Sequence, residues 1–185
     1  EDPNFVVYVT SSGAVNHFPL NNESPILGDK SVRQAMMYAI DRQQVIDDIF
    51  SGAAVVAQTN LSPAYDFWHN PDVKTYPYDV DQAMALLDEA GWVMGDDGVR
   101  VKDDMRLSFT CTIISGDQAR RPEAEVVQQY LGVVGIEMIL EEAPVSKIRE
   151  TATAKGMVPL YQDSFEKILS GQTTIDEALR VTQQS

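Results

Sequence analysis

The chain has 185 residues, 44% of them apolar, and sets 28 acidic against 14 basic side chains for a formal charge of −14. That length and apolar share fit one domain with a real core and room for a small appendage. So acidic a surface repels nucleic acid and anionic lipid headgroups, which need basic patches, and keeps the chain dispersed.

A single cysteine, Cys111, excludes an internal disulfide. It stands in the alternating stretch Leu107–Ile113, which suits a buried small hydrophobe better than a nucleophile. No apolar run approaches the ~18 residues of a membrane span. Glu1-Asp-Pro-Asn leads straight into Phe5–Val9 without a leader, so the start reads as a processed or cut end.

In chain order, Phe5–Thr10 reads as a strand stopped by Ser11-Ser-Gly13, and Val15–Leu20 as a second strand. Asn21–Pro25 is loop chemistry. The strongest helix is expected over Val32–Phe50, where Val32, Ala35, Met36, Ala39, Ile40, Val45, Ile46 and Ile49 recur at helical spacing. Asp29 or Ser31 can cap it, Ser31 with Gln34 forming a capping box, and Ser51-Gly52 ends it. Tyr38 and the two methionines read as core. Ala53–Tyr78 mixes Pro63, Pro71 and Pro77 with Tyr65, Phe67, Trp68, Tyr76 and Tyr78, which predicts a long ordered loop over the domain.

Asp79 caps a short helix to Ala90, with Ala83, Leu86, Leu87 and Ala90 on one face and Gly91 as its stop. Gly95-Asp-Asp-Gly98 is a hairpin turn rather than a calcium loop, for it lacks the spaced acids. Arg106–Ile114 alternates as a strand. Pro122 then opens a helix burying Val126, Val127, Tyr130, Leu131 and Val134, and Gly135 stops it. Ile136–Glu142 alternates again, so the three form a right-handed βαβ unit with parallel strands. Val145–Lys155 is helical. A short helix around Phe165, Ile168 and Leu169 follows, and Thr174-Ile-Asp-Glu177 boxes another. The fold class is therefore α/β, a mixed sheet with a βαβ unit, packed helices and a helical tail.

The chemistry points to binding. His17 and His69 lie in no motif, no nucleophile elbow or metal-ligand spacing is present, and no glycine loop cradles phosphate. Adjacent acids such as Asp47-Asp48 and Asp103-Asp104 do not converge in helix or strand. In open α/β sheets ligands sit beyond the carboxyl ends of the strands, here the loop Ser115-Gly-Asp-Gln-Ala-Arg-Arg121. Ser115 and Gly116 leave room, the helix start offers N–H groups to an anion, and Arg120 and Arg121 can pair with a carboxylate; the alternative is that both arginines are surface charges and Asp117 merely caps the helix.

Several segments resemble family 5 extracellular solute-binding proteins, the periplasmic dipeptide-, oligopeptide- and nickel-binding type. Asp29-Lys-Ser-Val-Arg-Gln-Ala-Met-Met-Tyr-Ala-Ile-Asp-Arg42 with Val45–Gly52 is similar to the family's signature helix. Asn70–Asp79, Gln82–Trp92, Gly95–Val99, Leu107–Thr110, Gln128-Gln129 and Gly135-Ile-Glu137 follow in the family's order, so the resemblance covers residues 5–156. It implies the C-terminal lobe of a two-lobed protein that captures a peptide or similar small solute outside the cytoplasm and delivers it to an ABC permease. It also implies cleft-facing roles for the Ser115–Arg121 loop and for Trp68 and His69. Against the family's pattern, this sequence is expected to lack the first lobe and a counterpart of the aspartate that meets a peptide's amino terminus. The alternative is a lobe acting only as an interaction module, with homodimerisation through the surface that met its other half. The remainder, 157–185, is set apart as a helical tail. Gly156–Thr182, with Gly171-Gln-Thr-Thr-Ile-Asp-Glu-Ala-Leu-Arg-Val-Thr182 at its centre, resembles the C-terminus of type II secretion and type IV pilus assembly ATPases. None of that family's nucleotide motifs accompanies it.

Overall fold

The computed structural model describes residues 13–65, 67–117 and 120–182. Two compact units emerge, Glu1–Ile113 with Asp117–Glu141, and Ile114–Gly116 with Glu142–Ser185. The expected strand Phe5–Thr10 lies outside the described residues. The expected strand Val15–Leu20 does not form: residues 13–20 carry no ladder. Pro19 has no N–H to give one, and Phe18 and Leu20 instead pack against the core from an irregular segment.

The long helix expected over Val32–Phe50 is two helices, α1 (Lys30–Ala39) and α2 (Arg42–Phe50). Ile40 is extended at φ −101° and ψ 117°, and the Asp41 carboxylate accepts from the Gln44 N–H at 3.1 Å, capping α2. An Asp that can cap competes with helix continuation, and here it wins. Asp29 caps α1, its Oδ1 accepting from the Ser31 N–H at 2.8 Å. Val32, Ala35, Met36 and Ala39 of α1 and Val45 and Ile46 of α2 are buried. Ser51, at φ 50°, and Gly52, at φ 73°, stop α2 in the left-handed region.

Asp79 caps α3 (Val80–Glu89) through Gln82 N–H at 2.9 Å, and Ala83 and Leu87 are its buried positions. Gly91 reverses the chain at φ +86°. Strands β1 (Val93–Met94), β2 (Arg100–Lys102) and β3 (Met105–Arg106) form an antiparallel sheet in that order, and Val93 faces Val101 across the Gly95–Gly98 turn. Asp103 and Asp104, both at positive φ, form the second turn, where short polar side chains tolerate that conformation. Arg100 is the buried cation of this sheet, 2% exposed. Its Nε donates to the Val134 carbonyl at 2.8 Å and its Nη1 to the Trp92 carbonyl at 2.5 Å and to Asp88.

Leu107 divides the strand expected over Arg106–Ile114. Its N–H donates to the Arg100 carbonyl at 2.8 Å while its carbonyl accepts from Glu137 N–H at 2.9 Å. The chain thus passes from the hairpin sheet into a separate pair, β4 (Ser108–Ile114) with β5 (Glu137–Ala143). Ser115 N–H meets the Ala143 carbonyl at 3.0 Å at the other end, so the two strands run parallel. The helix between them, α4 (Arg120–Val133), starts two residues before Pro122. Proline is tolerated there because the first N–H groups of a helix have no partner within it. Ala124, Val127 and Leu131 of α4, with Val134 beyond it, are buried, whereas Val126 and Tyr130 are half-buried. The buried four pack with Leu107, Ile113, Ile136 and Met138, and with α1, α3 and Trp92, in one core. Each fully buried leucine there contributes about 1.5–3 kcal/mol. Cys111 is half-buried against this core, and burial pushes its thiol up, which keeps it protonated.

In the second unit, α5 (Val145–Ala154) ends at Lys155 and Gly156, and α6 (Leu160–Leu169) packs on α7 (Ile175–Thr182). Thr174 Oγ1 accepts from Glu177 N–H at 3.2 Å, the forward half of the expected capping box. Ala178 is the buried residue of α7.

Arg100 acts through carbonyls more than through its ion pair, because the Asp88 side chain is 65% exposed. Arg100→Leu should cost about 3 kcal/mol or more, since it strands two buried carbonyls. Asp88→Asn should cost about 1 kcal/mol or less. Urea unfolding of the two variants checks the ratio; equal losses would put the ion pair first.

Candidate functional site

The 53–78 loop is held at its two ends by one side chain. Arg42 Nη1 donates to the Ala57 carbonyl at 3.1 Å and its Nη2 to the Tyr76 carbonyl at 2.6 Å. Partial burial pulls the Arg42 guanidinium below its ordinary value. Tyr76 also meets the edge of Tyr38, ring centroids 5.3 Å apart, and Asp79 N–H donates to the Tyr38 carbonyl at 2.8 Å. At the tip, Pro63–Tyr65 is a single 3₁₀ turn, and the Tyr65 carbonyl accepts from Trp68 N–H at 2.7 Å and His69 N–H at 3.1 Å. This turn presents Trp68 at 70% exposure, edge-on to the exposed Phe67 at 4.8 Å. His69 is more constrained: Nδ1 lies 2.9 Å from the Leu61 carbonyl, which can only accept, so Nδ1 donates to it.

The start of α4 forms the second group. Asp117 Oδ1 accepts from Arg120 N–H at 3.1 Å, the capping role expected of it. Arg121 Nε donates to Glu125 Oε1 at 2.9 Å, one turn along the helix. Arg120 is exposed. Ser115 and Gly116, the latter at φ +85°, fall in the second unit, and Gln118 and Ala119 lie outside the described residues. The seven residues expected to face ligand are therefore placed as three groups: Trp68 beside His69, Asp117 with Arg120 and Arg121, and Ser115 with Gly116.

Sequence reasoning missed two charged groups. Glu123, in the first turn of α4, is 8% exposed. Burial pushes its carboxyl up, the charge of Asp117 adds to this, and Arg120 pulls it back. Arg42 was readable only as part of a long helix. Its place at the first position after a cap, where the helix dipole disfavours a cation, is the signal that something outside the helix uses it. Among the described residues no group of three or more His, Cys, Asp or Glu is arranged to hold a metal ion.

Residues 1–168 match the family of bacterial extracellular solute-binding proteins, family 5 Middle, and the chain belongs to that family. The match runs past Gly156 and through most of α6. Protein XP55 of Streptomyces lividans is 36% identical over 67% of this chain and 22% of its own length. The oligopeptide-binding protein AppA of Bacillus subtilis is 34% identical over 64% of this chain and 22% of its own length. The structure of AppA in complex with a nonapeptide superposes with a TM-score of 0.65 at 32% identity, covering 71% of this chain and 26% of that one. NikA from Brucella suis in complex with Fe(III)-EDTA gives 0.63 at 32% identity over 70% of this chain and 26% of that one. The chain thus spans about a quarter of the length of the relatives it matches.

Glu123 carries a pH signature. A carboxyl raised in the folded chain holds its proton more tightly there than in the unfolded chain. It therefore subtracts stability once pH rises above the unfolded value of about 4.3, and no penalty remains below it. Glu123→Gln should accordingly gain on the native chain between about pH 4 and about pH 7. Urea midpoints at the two pH values measure this, and a constant difference would mean the carboxyl is not shifted.

Proposed function

From membership of family 5, we propose that this chain supplies part of the substrate-binding protein of an ABC importer. It works outside the cytoplasmic membrane by capturing a peptide or similar small solute without covalent chemistry and handing it to a membrane permease. The observation that carries this reading is the match to the family over residues 1–168 together with the superposition on a relative solved with a nonapeptide. The relatives also include a dipeptide-binding protein and a nickel-binding periplasmic protein of Escherichia coli, so the solute class rests on the peptide binders among them. Among the described residues no helix is long and apolar enough to cross a membrane.

For the ligand contacts we propose Ser115, Gly116, Asp117, Arg120, Arg121, Trp68 and His69. The exposed indole of Trp68 offers flat apolar area at low entropic cost. Arg120 and Arg121 offer charge-assisted hydrogen bonds to a carboxylate, and His69, oriented by the Leu61 carbonyl, offers a fixed imidazole. We hold the resemblance of Gly156–Thr182 to the end of secretion ATPases as a proposal about ancestry only. The resemblance implies no nucleotide chemistry.

The two tryptophans make the test direct, because Trp92 is 1% exposed and Trp68 is 70% exposed. A mixture of short peptides should shift the emission of Trp68 towards the blue, and Trp68→Phe should abolish that shift. Arg120→Ala should weaken binding about fivefold or more. Native mass spectrometry should find peptide-sized mass retained on the chain. A clean dimer with no added mass and no emission change would overturn capture and favour a lobe that serves only as an interaction module.

A further inference from the structure

The first unit carries a recess of about 320 Å³ between the start of α1 and the end of the 53–78 loop, lined by Lys30, Arg33, Gln34, Met37 and Tyr76. The chain has twice as many acids as bases, yet this lining holds two cations and no carboxylate. Arg33 is fixed in place: its Nη1 donates to the carbonyls of Leu27 and Gly28, each at 2.8 Å. Two neutral carbonyls hold the guanidinium still without cancelling its charge. A third cation, Lys74, sets its ammonium 5.0 Å from the centre of the Tyr76 ring. The acid next to Lys30 in sequence, Asp29, turns its Oδ1 to the Ser31 N–H as the cap of α1.

The other wall is built as well. Gln34 Nε2 donates to the Tyr76 hydroxyl at 3.1 Å, so that hydroxyl keeps its own proton to donate elsewhere. Met37 and the Tyr76 ring supply apolar surface beside the charges. A recess of a few hundred Å³ with apolar walls and a few convergent polar groups has the make-up of a small-molecule site.

We propose that this recess binds a small organic carboxylate. The carboxylate lies on Lys30 and Arg33 and accepts from the Tyr76 hydroxyl, and a short apolar body lies along Met37 and the Tyr76 ring. The apolar wall favours such a ligand over inorganic phosphate, whose charge would face it. None of these residues is among those offered above for the imported solute, so this site stands apart from that reading.

Amide chemical-shift titration of the labelled chain tests it with three probes, butyrate, butyramide and inorganic phosphate. Butyrate should give saturable shifts at residues 30–37 that weaken as salt is raised. Phosphate should bind less tightly, and butyramide should not saturate. Lys30→Gln changes an exposed side chain at the first position of α1 and should weaken butyrate about fivefold or more while leaving the rest of the spectrum in place. Arg33→Gln removes two backbone contacts as well as the charge, so it serves only as a second variant. Trp68→Phe should leave butyrate binding unchanged, so the two sites fail separately. Butyramide binding as well as butyrate, phosphate binding as tightly, an unaffected Lys30→Gln, or no saturable shift would each overturn the proposal.

Discussion

The buried guanidinium of Arg100 is the constraint around which the first unit is arranged. It gathers the carbonyl that follows α3, at Trp92, and the carbonyl that follows α4, at Val134, onto one side chain. The Arg100 backbone N–H donates to the Gly135 carbonyl at 2.9 Å. The approach demands glycine at 135. There φ is +85°, and a Cβ would lie 2.8 Å from Arg100 Cγ and 3.0 Å from the Met94 side chain. With the end of α4 pinned to the hairpin in this way, β5 begins beside Leu107, and the parallel pair takes its register. Removing a buried charge from water is costly, and it is tolerated when each donor finds an acceptor. Here two carbonyls and a carboxylate accept from Nε and Nη1.

Much of this was legible from residue patterns. The α3 helix, the Gly95–Gly98 turn and the β4–α4–β5 unit each combine a clear period with a local stop, so propensity, cap and burial agree. The misreadings fall where a local signal competes with a periodic one. Asp41 interrupts an otherwise continuous apolar stripe, and only cap geometry separates α1 from α2. In Val15–Leu20 the proline at 19 breaks the stretch, and Phe18 and Leu20 pack against the core instead of joining a ladder. Arg100 was invisible, because nothing in a short polar strand announces that its cation points inward among carbonyls far away in sequence.

The candidate ligand residues were legible in kind more than in arrangement. The carboxyl end of β4 was found from topology, and the capping role of Asp117 from its place before a helix. Trp68 stood out as an aromatic in a proline-rich loop, and its exposure fits a contact surface. The partners that orient these groups, Leu61 for His69 and Glu125 for Arg121, come from spatial proximity that spacing suggests only for the helical pair. Family membership is what the proposed contacts rest on.

The double grip of Arg42 on Ala57 and Tyr76 has an evolutionary consequence. By closing the loop at its base, it separates what happens between those residues from the core on which α1, α3 and α4 pack. Closing a flexible loop costs only about 0.6 kcal/mol more for each doubling of its length. The stretch from 57 to 76 is therefore free to lengthen, shorten and change its aromatics among descendants of this chain with little loss of stability, as long as the arginine and its two carbonyls stay where they are. Variation in this part of the molecule should accordingly concentrate within the loop, while its two anchor points hold still.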